Sequence, residues 1–516
     1  MNEKLDLLQI MQERGHAREL GHLENYFALC QRQDLYTNFS MYCELTDACT
    51  REELASAIRA VCLENPILLH TVIPRNENNH TLEYYASEEH ISKPIVNHEY
   101  MQLLEKVELS DIIMNEQPEY ASVVEEILEI FAAGHNKYTS DIFDIVSTIR
   151  VPYGDCGRPN WRILVLSDGS KKSFSKFLFI SNHCSSDANS AANFFKDISS
   201  WLNKPGPHPA SANLIFDYAA DHERIGKLPI PIDERVDYKP PLSYLARLMG
   251  VNFVRKYLGY RSNGCVVSRI TKPDEGNRVH SYFLNFTPDQ VEQIRDKIKM
   301  RDPDCTMSPF LQTCWLVSMY KFGKVFSGSI WEWFIDMVVP MHTSQLLPED
   351  SEIRNMYRYG SNIGGSRYNY LISSLNIGDD KEAFWSLVKY YNGVFRRGKC
   401  NNDYLYPLGA LMLDVVRQKS NVDKLVVDDL VGLPREGVVL SNIGIVKQGP
   451  EIEKFKVHDL VFSQTLGSLR HSFTLSACTT TGSGMNLVMC GAHGTVKTKE
   501  DWVSLCELFK HEVLAY

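Results

Sequence analysis

The residues best suited to chemistry in this sequence are His183 and Asp187, which form an H-x-x-x-D motif. The chain has 16 histidines, and this spacing occurs once. The imidazole of His183 titrates near neutrality and could take a proton from a hydroxyl group. The carboxylate of Asp187 suits a structural task, because negative charge is stabilised beside the free amides at the start of a helix. We therefore expect His183 to be a base and Asp187 to brace its loop.

The segments on either side of the motif predict how it is held. Residues 174–180 are rich in phenylalanine and read as a buried strand, and the apolar positions after the motif recur at helical spacing. A loop between a rigid strand and a rigid helix is a common place for a catalytic side chain. A loop histidine with satisfied hydrogen bonds and an ordinary N-cap would explain the same pattern, so the residues alone leave both interpretations open.

Length and composition limit the class of protein. A chain of 516 residues exceeds a single hydrophobic core and predicts two domains or lobes. A net charge of -10 does not favour binding to the negatively charged backbone of nucleic acids, so we expect no nucleic-acid partner. The sequence has no G-x-S-x-G, G-x-x-x-x-G-K-[ST], H-E-x-x-H or G-x-G-x-x-G motif, which disfavours serine esterases, P-loop ATPases, zinc proteases and Rossmann dehydrogenases.

The two ends and the cysteines bear on location. The first residues resemble no secretory signal, and no apolar run is long enough to span a membrane. Thirteen cysteines without C-x-x-C pairs favour reduced thiols and no metal site. We expect an intracellular protein that is not secreted. The leucine-rich start and the apolar stripe of the last helix (Trp502, Leu505, Cys506, Phe509, Val513) could lie on a membrane surface or cap the core.

An internal repetition predicts the architecture. Thr50–Glu53 is a capping box after a strand near the start, and Thr287–Gln290 is a second capping box after a strand in the other half. Two lobes of the same plan indicate a duplicated α/β fold. The predicted boundaries are 1–202 for the first lobe, 203–275 for a proline-rich linker and 276–516 for the second lobe. An acidic helical insertion, 101–150, lies within the first lobe.

A second candidate site follows an apolar strand in the second half. Ser441, Asn442, Ile443 and Gly444 form a polar turn there. The side chains of Ser441 and Asn442 and the backbone amide of Gly444 could stabilise a developing oxyanion. A strand terminator of the Asn-Gly type is an equally simple interpretation.

Several runs of the sequence resemble one known family. The runs 18–26, 31–36 and 38–39 are similar to the N-terminal signature of the yeast alcohol O-acetyltransferases. Trp161-Arg162, the H-x-x-x-D motif and Ser441–Gly444 follow in the family's order, so the resemblance spans nearly the whole chain. Two departures are the absence of a D-F-G-W-G element, which the wider plant acyltransferases carry, and Ala188 where the family usually has glycine.

The resemblance implies a mixed α/β (α+β) fold of the chloramphenicol acetyltransferase type. Two related lobes, each a mixed sheet with flanking helices, would enclose a central tunnel. Acetyl-CoA would serve as co-substrate without a metal, and a monomer would form acetate esters of ethanol and isoamyl alcohol, with His183 as base. Arg158 or Arg162 would pair with Asp187. The resemblance also implies peripheral association with the endoplasmic reticulum or lipid droplets.

Two other functions stay open at this point. A related enzyme could act on sterols or use longer acyl-CoA donors. A non-catalytic protein of the condensation type could keep the fold without the reaction, although an intact His183 argues against it.

Overall fold

A computed structural model provides the fold. It describes residues 2–33, 35–74, 99–151, 154, 157–166, 173–184, 186–204, 213–258, 279–326, 332–349, 351–413, 416, 421–430, 437–447, 452–466 and 471–516. Parts of the predicted linker, at 205–212 and 259–278, lie outside the described residues.

The strands of the described chain fall into four sheets. Their bounds are β1 Ala17–Glu19, β2 Phe39–Thr50, β3 His70–Pro74, β4 Glu99–Leu103, β5 Lys106–Glu108, β6 Trp161–Val165, β7 Ser173–Ser181, β8 Leu214–Asp217, β9 Val279–Phe286, β10 Phe334–His342, β11 Ile363–Leu371, β12 Val438–Val446, β13 Val457–Gln464, β14 Phe473–Thr480 and β15 Gly484–Ala492.

The α-helices are interspersed with these strands along the chain. Their bounds are α1 Asn2–Arg14, α2 His22–Arg32, α3 Arg51–Glu64, α4 Ala121–Ala133, α5 Ser140–Val146, α6 Ala188–Leu202, α7 Tyr218–Asp221, α8 Ile232–Arg235, α9 Leu242–Leu258, α10 Pro288–Arg301, α11 Met307–Phe322, α12 Ser351–Met356, α13 Lys381–Cys400, α14 Tyr406–Gly409, α15 Val422–Leu430 and α16 Lys499–Ala515.

Both predicted capping boxes are present. The Thr50 hydroxyl accepts a hydrogen bond from the Glu53 amide at the start of α3, and the Thr50 amide donates one to the Glu53 carboxylate. Thr287 and Gln290 make the same reciprocal pair at the start of α10. The cap side chains satisfy amides that have no partner within the helix, so each strand passes into its helix at a fixed residue.

The described chain has two larger sheets, and we call each sheet, with the helices packed on it, the first and the second lobe. The first has the order β13-β2-β7-β6 and is antiparallel throughout. The second, in the order β11-β10-β12-β14-β15-β9, is mixed, with parallel pairs on both sides of β12. Strand β13 belongs to the C-terminal half of the chain but completes the first sheet through its pairing with β2. The sequence did not predict this exchange.

The hydrophobic cores follow the two sheets. One cluster packs β2 and β7 against α3 and α6, and another packs the second sheet against α11, α13 and α16. The predicted stripe of the last helix lies wholly in the second core, because Trp502, Leu505, Phe509 and their neighbours are buried. This face of α16 therefore caps the core, which is one of the two alternatives that its sequence left open.

The predicted insertion has a similar packing role. Helix α4 buries Val124, Ile127 and Phe131 in a third cluster that also contains Leu178 of β7 and Val488 of β15. The insertion thus packs between strands of both sheets. Within the described residues, no helix has the length and apolar character needed to cross a bilayer.

Candidate active site

His183 lies where the sequence predicted, in the loop from β7 to α6. Helix α6 begins at Ala188 with Asp187 as its N-cap, so the alanine that replaces the usual glycine has helical backbone geometry. Alanine is favoured over glycine at such a position because it loses less conformational entropy. The departure from the family pattern is therefore accommodated without strain.

Three aromatic rings surround the imidazole of His183. Phe27 of α2 stacks on it with ring centroids 4.2 Å apart and an interplanar angle of 12°. Phe39 and Tyr36 approach at tilted angles, with centroids 5.2 Å and 5.9 Å away. All three residues come from the N-terminal segment, which closes the site from one side. We call these three residues the aromatic cage.

The burial of His183 affects its protonation state. Burial lowers the pKa of His183 below its ordinary value of 6.5, and the negative charge of Asp187 offsets only part of this shift. The Nδ1 atom is buried without a hydrogen bond of normal geometry among the described residues, although the backbone of His183 and Ser186 lies close to the ring. A neutral imidazole at physiological pH is the form that can accept a proton.

Asp187 is fixed by contacts from both halves of the chain. Its Oδ1 accepts hydrogen bonds from the Ser190 amide at 2.8 Å and the Ser190 hydroxyl at 2.9 Å. Its Oδ2 accepts one from the backbone amide of Asn362 at 3.2 Å and lies 3.7 Å from His342 Nε2. The His342 Nδ1 atom is 2.7 Å from the Ser344 hydroxyl. The carboxylate thus links the loop and helix α6 to the second lobe.

The predicted arginine brace is replaced by these contacts. Arg162 is buried and donates to Gln117 Oε1 at 3.1 Å and to the carbonyl of Trp161 at 2.8 Å. Arg158 donates to Gln117 Oε1 at 3.3 Å and pairs with Glu119. Both arginines hold β6 to the segment before α4, because their guanidinium groups face that segment.

Helix α6 is fastened to the second lobe along its length. Ser190 Oγ donates to the Gly360 carbonyl at 2.9 Å, and Asn193 Nδ2 donates to the Arg358 carbonyl at 2.9 Å. Further along, Asp197 accepts two hydrogen bonds from Arg358, at 2.5 and 2.9 Å. The residues between α12 and β11 therefore determine where the helix behind His183 lies.

The Ser441–Gly444 segment is part of a strand and not a terminal turn. Strand β12 continues to Val446 with a bulge between Asn442 and Ile445, and Gly444 adopts a φ of 80° that favours glycine. The Gly444 amide donates to Asn442 Oδ1 at 2.9 Å, while Asn442 Nδ2 lies 3.1 Å from the Ser308 hydroxyl. The amide predicted to stabilise an oxyanion is therefore already hydrogen-bonded.

This strand nevertheless lies beside helix α6, which follows the His183 loop. Strand β12 contacts α6, and Ile443 packs against the core of the first lobe. Ser441 has a buried side chain in the same stretch. The roles of Ser441 and Asn442 toward an oxyanion stay predictions.

Two cavities are found in the described part of the chain, and His183 lines neither of them. One of about 740 Å³ lies between α3, α6 and α12 and is lined by Asp197, Trp201 and Tyr359 among others. The other, of about 230 Å³, lies between α9, β11 and α13. The central tunnel stays a prediction.

Comparison with known proteins identifies the class of this site. A model of the alcohol acetyltransferase family matches residues 19–513. The chain belongs to the alcohol acetyltransferase family. It is 38% identical to alcohol O-acetyltransferase 2 of Saccharomyces cerevisiae, over 98% of this chain and 96% of that protein. It is 36% identical to alcohol O-acetyltransferase 1 of the same yeast, with the same coverage of both chains.

Solved structures agree on the fold of this alcohol acetyltransferase. The trichothecene 15-O-acetyltransferase TRI3 of Fusarium sporotrichioides superposes with a TM-score of 0.62 at 12% identity, over 97% of this chain and 94% of that one. The first condensation domain of the calcium-dependent antibiotic synthetase gives a TM-score of 0.56 at 12% identity, over 97% and 96%. The predicted fold class is confirmed.

Membership of the family also establishes the reaction class. The protein is an alcohol O-acetyltransferase, and acetyl-CoA is the co-substrate that this class implies. Among the residues whose positions are described, no group of three histidine, cysteine, aspartate or glutamate side chains is arranged to hold a metal ion.

Sequence reasoning missed the aromatic cage and the His342 contact. Tyr36 and Phe39 fall within the family signature, and Phe27 directly follows its first run. The family signature could therefore have indicated that these three aromatic residues belong to the site. Nothing in the sequence connected His342 with Asp187, because they are 155 residues apart and on different lobes.

Proposed function

We propose that this protein transfers the acetyl group of acetyl-CoA to short and medium-chain alcohols such as ethanol and isoamyl alcohol, with His183 as the general base. The observation that carries the proposal is the buried imidazole of His183, which stacks on Phe27 inside the aromatic cage, and whose pKa is lowered by that burial. A neutral imidazole can take the hydroxyl proton as the alcohol oxygen attacks the thioester carbon. General-base catalysis of this kind contributes about 10²- to 10⁴-fold in rate.

The remaining steps need only groups that the proposal names. The attack forms a tetrahedral intermediate, which collapses with cleavage of the carbon–sulfur bond. The protonated His183 then returns its proton to the departing CoA thiolate. Ser441 and Asn442 are the side chains that we propose to face the oxyanion, because their strand lies against α6.

Asp187 has a positioning role in this proposal. Its carboxylate is occupied by Ser190, Asn362 and His342, so it holds the loop and contributes a fixed negative charge near the imidazolium. That charge stabilises the protonated histidine in the transition state.

The experiment is thiol release from acetyl-CoA with isoamyl alcohol, ethanol or a 3-hydroxysteroid as the acceptor. We expect acceptor-dependent release with both alcohols, and a loss of at least 10²-fold in His183→Ala. The matched control is His511→Ala, which removes an exposed histidine from α16. Thiol release that needs no alcohol would contradict the transfer reaction. A preference for the steroid would contradict the proposed class of acceptor alcohols. Full activity in His183→Ala would contradict the role of His183 as the base.

We also propose that the protein works as a monomer at the surface of the endoplasmic reticulum or of lipid droplets, with α9 as the contact. Leu242, Met249 and Phe253 recur on one face of this helix and are 84%, 73% and 58% exposed. The helix sequence has three basic residues and no acidic one, which favours an anionic lipid surface.

Flotation with anionic vesicles tests the surface proposal. The triple variant of Leu242, Met249 and Phe253 to serine should stay in the soluble fraction, while the parent floats. Exposed Met300 of α10 supplies the control variant Met300→Ser, which should float like the parent. Equal flotation of both variants would contradict a role for α9, and light scattering of the lipid-free protein tests the monomer.

A further inference from the structure

The smaller cavity has the composition of a binding site for anions. It opens between α9, β11 and α13, and one arginine from each element contributes to its lining: Arg247, Arg367 and Arg397. Asp403 is the one acidic residue in that lining. Arginine favours phosphate groups because its planar fork of N–H donors matches two phosphate oxygens at once.

The charges around this cavity do not cancel. Arg367 pairs with the buried Asp336, and the Arg247 guanidinium lies over the Tyr244 ring, 5.4 Å from its centroid, with its charge acting on Asp403. Three guanidinium groups thus face two carboxylates, which leaves a positive excess. The larger cavity differs in this respect, because its lysines and arginine are matched by equal numbers of acidic residues, Glu64, Asp197 and Glu352.

A buried hydrogen-bond donor also points to a ligand. Tyr368 lines the cavity and is 9% exposed, and its hydroxyl has no hydrogen bond of normal geometry among the described residues. The Ser366 hydroxyl is its polar neighbour and also lacks such a bond. Burying a hydroxyl without a hydrogen-bond partner is unfavourable in free energy, so a hydrogen-bond acceptor bound in the cavity would stabilise Tyr368 there.

Gly398 makes room for that hydroxyl. A Cβ atom at position 398 would lie 2.6 Å from the Tyr368 oxygen, which is closer than such atoms approach. A side chain there would displace the hydroxyl from the cavity wall. The glycine therefore keeps the donor in place beside Arg397 on the same helix.

Strand β11 connects this cavity to the active site. Ile363 pairs in register with His342, the residue that faces Asp187, and Arg367 lies four residues further along the same strand. At about 3.3 Å per residue, the two ends of this stretch are about 13 Å apart. An extended phosphopantetheine arm can span such a distance between a reacting thioester and its phosphate groups.

We propose that the cavity lined by Arg247, Tyr368, Arg367 and Arg397 binds a phosphate group, and that the 3′-phosphate or diphosphate of the CoA donor supplies it. The assignment to CoA rests on the proposed acetyl transfer. The cavity itself is a phosphate site whatever the acceptor alcohol. The acyl donor would then lie along the second lobe, with its nucleotide end between α9 and α13.

The test compares Arg247→Gln and Arg397→Gln with Arg396→Gln. Arg396 is the matched control, because it is exposed on the same helix and pairs with Asp304 at 2.7 Å outside the cavity. We expect each cavity variant to raise KM for acetyl-CoA by about tenfold, since each loses a charge-assisted hydrogen bond, with kcat and the KM for isoamyl alcohol unchanged. Tyr368→Phe should raise the same KM by about threefold.

Two further measurements identify the phosphate and separate this proposal from the reaction. With acetyl-3′-dephospho-CoA as the donor, the increase in KM caused by the cavity variants should disappear if the cavity binds the 3′-phosphate. The increase should persist if the cavity binds the diphosphate. Either result supports a phosphate site in the cavity. Calorimetry with adenosine 3′,5′-bisphosphate needs no turnover, so it decides the question even if no alcohol is acetylated.

Two results would overturn the proposal. If the cavity variants and Arg396→Gln have the same KM and bind the bisphosphate equally well, the cavity is not a phosphate site. If inorganic phosphate binds the parent and not the variants while KM for acetyl-CoA is unchanged, the assignment to the CoA donor is wrong.

Discussion

The Oδ2 atom of Asp187 lies 3.7 Å from Nε2 of His342, so the aspartate of the H-x-x-x-D motif faces a histidine from the opposite lobe. His342 is the last residue of β10, and its other ring nitrogen contacts the Ser344 hydroxyl. Through this contact and the Asn362 amide, the loop that presents His183 depends on how the two lobes meet.

Removal of His342 should impair catalysis without removing the base. We expect His342→Ala to lower kcat about tenfold, or about 1.4 kcal/mol, because Asp187 loses one of its polar contacts with the second lobe and keeps the Asn362 amide. His342→Gln should recover part of the loss, since its amide can still donate to Asp187. Steady-state kinetics with isoamyl alcohol provides the measurement. An unchanged kcat in His342→Ala would show that the contact does not position the loop.

Replacement of Asp187 should lower stability and activity together. In Asp187→Asn the side-chain oxygen can still cap α6, but one position now carries an NH₂ group that faces the Asn362 amide. We expect a loss of about 1–3 kcal/mol in the free energy of unfolding, measured by urea denaturation, with a parallel fall in kcat. Ser190→Ala, which removes only one partner of Oδ1, is the milder comparison. Parental stability in Asp187→Asn would contradict the bracing role.

The pH profile of the reaction should report the protonation of His183. Because burial lowers its pKa from 6.5, the imidazole is mostly neutral at pH 6.5, and the neutral base is lost as pH falls through the lowered pKa. The logarithm of kcat/KM should therefore be flat at neutral pH and decline with unit slope at acidic pH, with its midpoint below 6.5. A midpoint above 6.5 would mean that the imidazole is not desolvated in the working enzyme.

The stacked ring of Phe27 should contribute to this shift. Phe27→Leu keeps an apolar side chain but opens space beside the imidazole, so water can enter and the pKa of His183 should rise toward its ordinary value. The midpoint of the pH profile should move upward accordingly. Tyr36→Phe keeps its ring and serves as the control, with an expected midpoint like that of the parent. Equal midpoints in all three proteins would show that Phe27 does not contribute to the lowered pKa of His183.

The C-terminal helix should be required for folding. Trp502 is fully buried and stacks on Phe473 of β14 with an interplanar angle of 4°. Trp502→Ala should therefore lower the free energy of unfolding by about 3–5 kcal/mol. Leu514→Ser, on the exposed side of α16, should change it by no more than about 0.5 kcal/mol. Thermal denaturation of both variants provides the test, and similar midpoints would place the helix outside the core.

Much of the fold followed from local patterns. The capping boxes at Thr50 and Thr287 predicted where helices begin, because those hydrogen bonds join residues three positions apart. The hairpin of β14 and β15 likewise follows from two apolar runs around a short glycine-containing turn. The exchange of β13 into the first sheet could not be predicted in this way, since strand pairing across the chain leaves no periodic signal.

The candidate site shows the same difference between local features, which the sequence predicts, and long-range contacts, which it does not. His183 and Asp187 share one loop, so spacing revealed them, whereas the partners of Asp187 depend on packing between lobes. The residues of the family signature also have two different roles. Tyr36 contacts the His183 ring. Arg32 is buried between Glu99 and Asp423, with N–O distances of 3.0 and 2.6 Å, and holds α2 to α15.

Strand β13 has a consequence for how the protein is made. Ser40 of β2 and Ser463 of β13 share a 2.6 Å hydrogen bond although they are 423 residues apart. During synthesis on the ribosome, one edge of β2 stays unpaired until β13 has emerged, more than 400 residues later. Such long-range closure is entropically slow, so nascent chains should engage chaperones until β13 is available.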